Sequence, residues 1–190
     1  MRNGQSLNLN WKFKDEFKPE YITQKDYGSF ADIHVPHTVR EIPYDCFDET
    51  MCGCLSTYVR FFELPALGEQ RVLIEFEGVS TYYDLYVNEQ KAGSHKGAYS
   101  IALFDITSFV HEGENKLMLM VDSNVRTDIP PEGATVDYLL YGGIYRDVTL
   151  YILEPAYVIQ NLFRYTLEGN QALAAPELMV RNHGGAFEGE

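Results

Sequence analysis

The chain has 190 residues, 45% of them apolar, and a formal net charge of −13. This length suits one domain, or one domain with part of a second, and the apolar content favours a packed core over disorder. The negative charge argues against a nucleic-acid partner and an anionic membrane surface, because both need clustered Lys and Arg. No apolar run approaches the ~20 residues of a membrane span. Residues 1–11 lack the apolar core of a signal peptide, so a native start here predicts a cytoplasmic protein.

Three cysteines are crowded into one segment: Cys46, Cys52 and Cys54. An odd, crowded set is a poor disulfide framework. Cys52 and Cys54 could supply half of a metal site, but the sequence offers no second cluster at ligand spacing. His34 and His37 are the nearest candidates, and the proline between them suits a turn better than a metal face. The sequence therefore predicts free thiols in a loop.

The dominant hydrophobic period along the chain is two, which is typical of half-buried strands. It predicts strands, in chain order, at residues 58–64, 71–78, 82–87, 115–122 and 145–152. The polar residues 88–91 predict a hairpin turn. The closest helical candidate is a single turn ending near Gly113, which Thr107 or Ser108 could cap. The pattern predicts an all-β fold, an antiparallel β-sandwich or jelly roll.

A boundary is predicted at Glu154-Pro155, because proline cannot donate to a ladder and commonly ends a strand. Two further strands are predicted beyond it, at residues 157–167 and 176–182. Two strands cannot form a stable domain alone. We therefore predict a sandwich domain over residues 1–155 and the truncated start of a second β domain over residues 156–190.

The sequence shows no complete active site, since it has no Gly-x-Ser-x-Gly, no His-Glu-x-x-His and no phosphate-cradling glycine loop. The best binding candidate is the stretch 135–150, in which Asp137 stands among Tyr138 and Tyr141 before Gly142-Gly143. A carboxylate beside flat apolar rings suits a sugar. The alternative for Asp137 is a turn cap that bonds its own backbone, and composition alone favours that alternative.

Arg146 and Asp147 are neighbours in the strand predicted over residues 145–152. Neighbouring side chains of a strand point to opposite faces of the sheet. We therefore predict that both make cross-strand ion pairs rather than contacts with a ligand.

The run 141–150, Tyr-Gly-Gly-Ile-Tyr-Arg-Asp-Val-Thr-Leu, resembles the signature that closes the N-terminal domain of glycoside hydrolase family 2. That family includes β-galactosidases and β-glucuronidases. Further stretches resemble family segments in the same order, at residues 11–13, 35–38, 58–62, 76–79, 86–88, 93–95, 104–107 and 113–117. The resemblance covers nearly all of residues 5–155, and residues 156–190 are similar to the start of the family's immunoglobulin-like second domain.

The resemblance implies a jelly-roll sugar-binding domain, similar in fold to galactose-binding domains, that packs on a (β/α)8 barrel. That barrel carries both catalytic glutamates of a retaining double displacement. This chain would then hold no catalytic residue. The family's pocket aspartate maps onto Asp137. This match favours sugar binding over a turn cap as the role of Asp137, with Tyr138 and Tyr141 beside it. In some β-galactosidases the same carboxylate helps hold a sodium ion. No organic cofactor is implied, and sodium or magnesium could serve the full enzyme.

The substrate sugar stays open, because residues 138–141 match the glucuronidase segment only partly. A second first-domain loop supplies an asparagine in some β-galactosidases; here only Asp45 or Asp48 could replace it, and a solvated loop is the alternative. The favoured parent enzyme is a β-galactosidase that acts on a carbohydrate substrate. A β-glucuronidase and a β-mannosidase are the alternatives, and the parent enzyme could form a homo-oligomer. The competing hypotheses are a free-standing carbohydrate-binding module and a purely structural interaction domain.

Overall fold

The computed structural model describes residues 4–41, 53–130 and 140–186. Among these residues the regular elements are strands and two short 3-10 helices, Pro19–Ile22 and Thr107–Phe109. The strands are β1 (Gly4–Ser6), β2 (Trp11–Lys14), β3 (Ala31–Ile33), β4 (Leu55–Leu64), β5 (Arg71–Phe76), β6 (Val79–Ser80), β7 (Tyr82–Val87), β8 (Gln90–Lys96), β9 (Ala102–Asp105), β10 (Gly113–Asp122), β11 (Gly143–Ile144), β12 (Val148–Leu153), β13 (Ala156–Glu168) and β14 (Gln171–Asn182).

Two antiparallel sheets form the body of the molecule. The smaller has the order β1-β12-β5-β9, and the larger has the order β3-β2-β4-β10-β7-β8. A short ladder joins β11 to β6. This arrangement confirms the predicted all-β class and the antiparallel sandwich. No helix in the described ranges is long and apolar enough to cross a membrane.

The main apolar core brings together side chains of both sheets. Leu119 and Val121 of β10 and Ile74 and Phe76 of β5 belong to one buried cluster. They stand two apart because alternate residues of a strand share a face. The apolar residues that alternate in the sequence are thus the ones that face this core.

A second cluster covers the outer face of the larger sheet. Tyr21, Tyr27 and Phe30 pack there on Val59 and Met118. The ammonium group of the buried Lys116 fixes this covering segment, since it donates to the backbone carbonyls of residues 22 (2.8 Å) and 24 (3.1 Å). The larger sheet is therefore buried on both faces over its central strands.

The helical candidate is shorter than predicted. The 3-10 helix Thr107–Phe109 ends four residues before Gly113, which instead begins β10. No side chain caps this helix, so the prediction of a cap from Thr107 or Ser108 is wrong. The Thr107 hydroxyl donates to the carboxylate of Asp105 (2.6 Å) and is thereby engaged outside the helix.

The strand predicted over residues 145–152 is confirmed from Val148 onward but begins three residues later than predicted. The ladder with β6 ends at Ile144, and β12 starts only at Val148. In between, the Asp147 carboxylate accepts a hydrogen bond from Asn8 (2.9 Å), and the Arg146 guanidinium lies 5.5 Å from the ring centre of Tyr145. Arg146 and Asp147 thus lie between two strands rather than in one, so the prediction of cross-strand ion pairs is not met among the described residues.

Strands β13 and β14 pair with each other, from Ala156 with Asn182 to Glu168 with Gln171. Every residue of β14 is exposed. At the base of this hairpin, the backbone N–H of His183 donates to the carbonyl of Pro155 (3.0 Å). The division of the chain at residue 155 stays a prediction.

Candidate functional site

Gly142 and Gly143, which the sequence singled out, stand where the chain enters β11, and we call this point the Gly142–Gly143 turn. It lies beside the segment that precedes residue 42. The backbone N–H of Val39 donates to the carbonyl of Gly142 (3.1 Å). The N–H of His37 donates to the carbonyl of Ile144 (2.7 Å). These two bonds hold the segment of residues 37–39 against the turn.

Ser123, a buried residue just past the end of β10, holds the turn from its other side. Its hydroxyl accepts a hydrogen bond from the Gly143 N–H (3.1 Å) and donates to the carbonyl of Ser80 (2.7 Å). Its own N–H donates to the carbonyl of Cys54 (2.9 Å). Ser123 thus connects the turn by hydrogen bonds to the ends of β4, β6 and β10.

Gly143 has a φ of +105°, a conformation that residues with a Cβ rarely adopt. A Cβ here would lie 2.5 Å from the Tyr58 hydroxyl oxygen and 2.7 Å from the His37 carbonyl oxygen. The turn can approach these groups so closely only because it has no side chain.

Tyr58 and His37 form a hydrogen-bonded pair under the turn, with 2.9 Å between the Tyr58 hydroxyl and Nδ1 of His37. Burial raises the pKa of Tyr58 far above its usual range and lowers the pKa of His37. Both groups are therefore uncharged near pH 7, so the pair holds the turn in place without carrying charge.

Tyr141 is the predicted site residue that the structure describes, and it stands at this turn with 47% of its surface exposed. Asp137 and Tyr138 lie outside the described residues, as do Asp45 and Asp48. The prediction that these side chains serve a sugar pocket stays a prediction.

Described residues close in sequence to the two undescribed ranges are bonded at the turn. Val39, three residues before the range 42–52, bonds Gly142, three residues after the range 131–139. Cys54, two residues after the first range, bonds Ser123.

The histidines nearest the turn already have hydrogen-bond partners. His34 accepts a hydrogen bond from the backbone N–H of Asn10 (3.2 Å), and His37 is paired with Tyr58. Among the described residues, no three His, Cys, Asp or Glu side chains are grouped so as to hold a metal ion. Both histidines thus have structural roles. The sodium site proposed at Asp137 lies outside the described residues and is untested.

Cys54 is a buried free thiol, and burial raises its pKa. The predicted free thiol is confirmed at this position. Cys46 and Cys52 lie outside the described residues.

No pattern in the sequence places Ser123 or the Tyr58 hydroxyl at the turn. Period two assigns Tyr58 to a buried strand face, but it cannot show that the hydroxyl meets a histidine 21 residues earlier. The one available signal is Gly142-Gly143, since paired glycines mark a tight turn or a close approach.

A cavity of about 550 Å³ opens elsewhere, near the β7–β8 turn. Its lining includes Lys25, Glu89, His111, Glu114 and Lys116. Charges of both signs line it, and the carboxylate of Glu89 already bonds Lys25 (2.8 Å). This cavity includes none of the residues that the sequence nominated.

Comparison with known proteins gives a family match. The family model described as glycosyl hydrolases family 2, sugar binding domain, matches residues 19–154. The β-galactosidase of Thermoanaerobacterium thermosulfurigenes is 38% identical over 162 residues, which are 83% of this chain and 22% of that protein. The β-glucuronidase of Bacteroides fragilis is 28% identical over 160 residues, which are 78% of this chain and 20% of that protein.

Solved structures agree with the sequence matches. A β-glucuronidase of an uncultured Clostridium species superposes with a TM-score of 0.80 and 27% identity, covering 94% of this chain and 34% of that one. A chain described as a putative β-galactosidase from Bacteroides fragilis gives a TM-score of 0.80 at 25% identity, over 96% of this chain and 29% of that one. The chain thus spans about a fifth of the two curated relatives, 22% and 20% of their lengths.

Proposed function

Since the chain belongs to glycosyl hydrolases family 2, through that family's sugar binding domain, we propose that it is the non-catalytic N-terminal domain of a retaining glycosidase. The match over residues 19–154 is the observation that carries this proposal. In the parent enzyme both catalytic glutamates would lie beyond this chain, in the barrel that the family resemblance implies. Alone, the chain would have no glycosidase activity.

Within that enzyme we assign Asp137 to the sugar pocket, with Tyr138 and Tyr141 beside it. The sequence resemblance supports this role, and so do the contacts that hold the neighbouring described residues. Gly143 is held by Ser123 on one side and faces the Tyr58–His37 pair on the other. A fixed base is what a binding side chain needs if it is to reach into a pocket formed by another domain. A sodium ion at the same carboxylate belongs to this proposal.

The favoured parent activity is that of a β-galactosidase, because the relative at 38% identity carries that name. A β-glucuronidase is the alternative, supported by the relative at 28% identity and the structure at 27%. A panel of aryl β-galactosides, β-glucuronides and β-mannosides, tested on the complete gene product, separates these activities.

Asp137→Asn in the complete enzyme tests the pocket role. Hydrogen bonds to charged groups are worth roughly 1.5–3 kcal/mol, so kcat/KM should fall about tenfold to a hundredfold. Asp32→Asn is the matched control, since Asp32 is an exposed carboxylate that pairs with Lys12 (2.7 Å) on the surface. An unchanged kcat/KM for Asp137→Asn would contradict the pocket role. Turnover of an aryl β-galactoside by the purified 190-residue chain would contradict the non-catalytic assignment.

A further inference from the structure

The cavity near the β7–β8 turn is built from residues that the proposed function does not use. Its volume of about 550 Å³ lies within the roughly 300–1,000 Å³ of small-molecule sites. Four parts of the chain form its walls: the segment that covers the larger sheet, β4, the β7–β8 turn, and the start of β10 with the residues just before it. None of the residues assigned to the sugar pocket lines this cavity.

The cavity and the Gly142–Gly143 turn lie at opposite ends of β10. Lys116, near the start of this strand, lines the cavity. Ser123, which bonds Gly143, directly follows the last residue of the strand. A strand rises about 3.3 Å per residue, so the path from residue 116 to residue 123 is roughly 23 Å long. A small molecule in the cavity therefore does not reach the turn.

Two asparagines that line the cavity are held by hydrogen bonds. The side-chain nitrogen of Asn88 donates to Oδ1 of Asn115 (2.8 Å) and to the carbonyl of Phe109 (2.9 Å). Its Oδ1 accepts from the N–H of Lys116 (2.9 Å). Asn115 is buried, and its side-chain nitrogen donates to the carbonyl of His111 (2.7 Å). These contacts join the β7–β8 turn to β10, so a ligand meets a preformed wall and loses less entropy on binding.

The charges of the lining cancel when its histidine is uncharged. Lys25 and Lys116 are positive, and Glu89 and Glu114 are negative. The Glu89 carboxylate lies between the two lysines, 2.8 Å from Nζ of Lys25 and 3.6 Å from Nζ of Lys116. The Lys116 ammonium also donates to two backbone carbonyls of the covering segment. The lining therefore has no excess charge to attract an ion, and enclosing an ionic ligand without a partner would be costly.

Hydrogen-bond acceptors of the lining are left for a ligand. The Glu114 carboxylate is exposed and has no partner among the described residues. Nδ1 of His111 lies 2.9 Å from the carbonyl oxygen of Glu112, which can only accept, so this nitrogen carries the proton and Nε2 of the uncharged ring is an acceptor. Gln24 donates from its side-chain nitrogen to the carbonyl of Asp26, which leaves its side-chain oxygen as an acceptor. The described residues thus offer three acceptors.

Phe61 adds one apolar surface to this polar lining. Its ring is half-buried beside the Tyr27 ring, with 6.0 Å between ring centres. Hydroxyl groups donate to acceptors, and the C–H groups of a sugar ring pack on an aromatic ring. We propose that the cavity binds a neutral polyhydroxylated molecule of the size of one or two sugar rings. This inference goes beyond the proposed function and does not depend on it, because the cavity and the turn share no residue.

Sugars of one shape and different charge test this site. Methyl β-glucoside, methyl β-glucuronide and the methyl β-glucoside with an amine in place of its primary hydroxyl are titrated separately into the labelled 190-residue chain, with methyl β-galactoside as a second neutral sugar. Backbone amide signals are followed by NMR. At least one neutral sugar should shift the signals of Glu89, His111 and Glu114 saturably at millimolar concentration. An unpaired charge should cost each charged analogue roughly tenfold or more in affinity.

Two variants separate charge from shape. Glu114→Gln removes an acceptor charge, so it should weaken the neutral sugar severalfold and reduce the preference for that sugar over the glucuronide. Glu112→Gln is the matched control, because Glu112 is also exposed but does not line the cavity, and it should change neither quantity. Phe61→Leu keeps an apolar side chain but removes the flat ring, and it should weaken every sugar. Both glutamine variants should unfold at the same temperature as the unchanged chain, because both side chains are exposed.

Three results would overturn the proposal. The first is the absence of saturable shifts with both neutral sugars. The second is tighter binding of the glucuronide or of the amine by the unchanged chain, which would make the cavity an anion or a cation site. The third is a set of shifts confined to the turn, at Tyr141 and Gly143, with the signals of the cavity unchanged. Equal sugar preferences in Glu114→Gln and Glu112→Gln would refute the argument from charge.

Discussion

Replacing Gly143 by alanine adds one methyl group at the most constrained point of the turn. Gly143 combines a φ of +105° with a hydroxyl and a carbonyl oxygen at 2.5 and 2.7 Å from the position of the new Cβ. The oxygen of the His37 carbonyl is backbone and cannot rotate away. Two separate penalties are therefore expected.

The left-handed backbone costs a residue with a Cβ roughly 1–2 kcal/mol. Forcing a methyl group into a filled site costs about 1–3 kcal/mol more. The expected loss in the free energy of unfolding is therefore roughly 2–5 kcal/mol. Urea unfolding of the 190-residue chain, followed by tryptophan fluorescence, measures it, because the sequence has one tryptophan and Trp11 is fully buried.

Gly68→Ala is the matched control, because Gly68 has a φ of +57° and no atom within 4 Å of its new Cβ. It should show the backbone penalty alone. Adding Tyr58→Phe to Gly143→Ala removes the nearer oxygen, so the two changes should couple and restore part of the loss. Equal losses for Gly143→Ala and Gly68→Ala would refute the close-contact reasoning.

Two further predictions concern the sandwich itself. Leu119→Ala should lower the free energy of unfolding in urea by about 2–5 kcal/mol, because it leaves a cavity at a fully buried site. Leu103→Ala changes an exposed side chain and should lower it far less. Similar losses for the two variants would contradict the assigned core. Burial opposes ionisation of Asp105, but hydrogen bonds from Thr107 and Arg71 outweigh it and lower the pKa below 3.8. The lowered pKa means that the carboxylate stabilises the fold above pH 3.8 and that this contribution is lost as the pH falls through the folded-state pKa. Thermal unfolding of Asp105→Asn against the unchanged chain should therefore show a gap at pH 7 that narrows in acid, and a pH-independent gap would contradict this role.

Local pattern predicts the strands of this fold well where a strand keeps the same neighbours along its whole length. The strand predicted at residues 82–87 is β7, Tyr82–Val87, and the polar turn after it is confirmed at Asn88 and Glu89, with φ values of 47° and 73°, whereas Gln90 already begins β8. The strand predicted at residues 145–152 is confirmed only from Val148, because Gly143–Ile144 pairs with β6 whereas Val148–Leu153 pairs with β5. The alternation of apolar residues in the sequence does not show where the chain changes from one neighbouring strand to another.

The candidate site was predictable only in part, for a similar reason. Gly142-Gly143 indicates a tight turn or a close backbone approach from sequence alone, and the structure shows a close approach at Gly143. The Tyr58–His37 pair and the Ser123 hydroxyl reach the turn from distant parts of the chain. Such contacts depend on how the sheets pack, and no local pattern encodes them.

The pairing of β1 with β12 determines when this domain can fold during synthesis. Gly4 pairs with Tyr151, and β12 lies between β1 and β5 in the smaller sheet. At about 5–20 residues per second, the ribosome needs roughly 7–29 seconds to pass from β1 to that strand. Until then β1 has no partner, and the inner face lacks Val148 and Leu150. The nascent chain must therefore keep an open apolar face, to which chaperones can bind, and a chain that stops before Val148 cannot close its core.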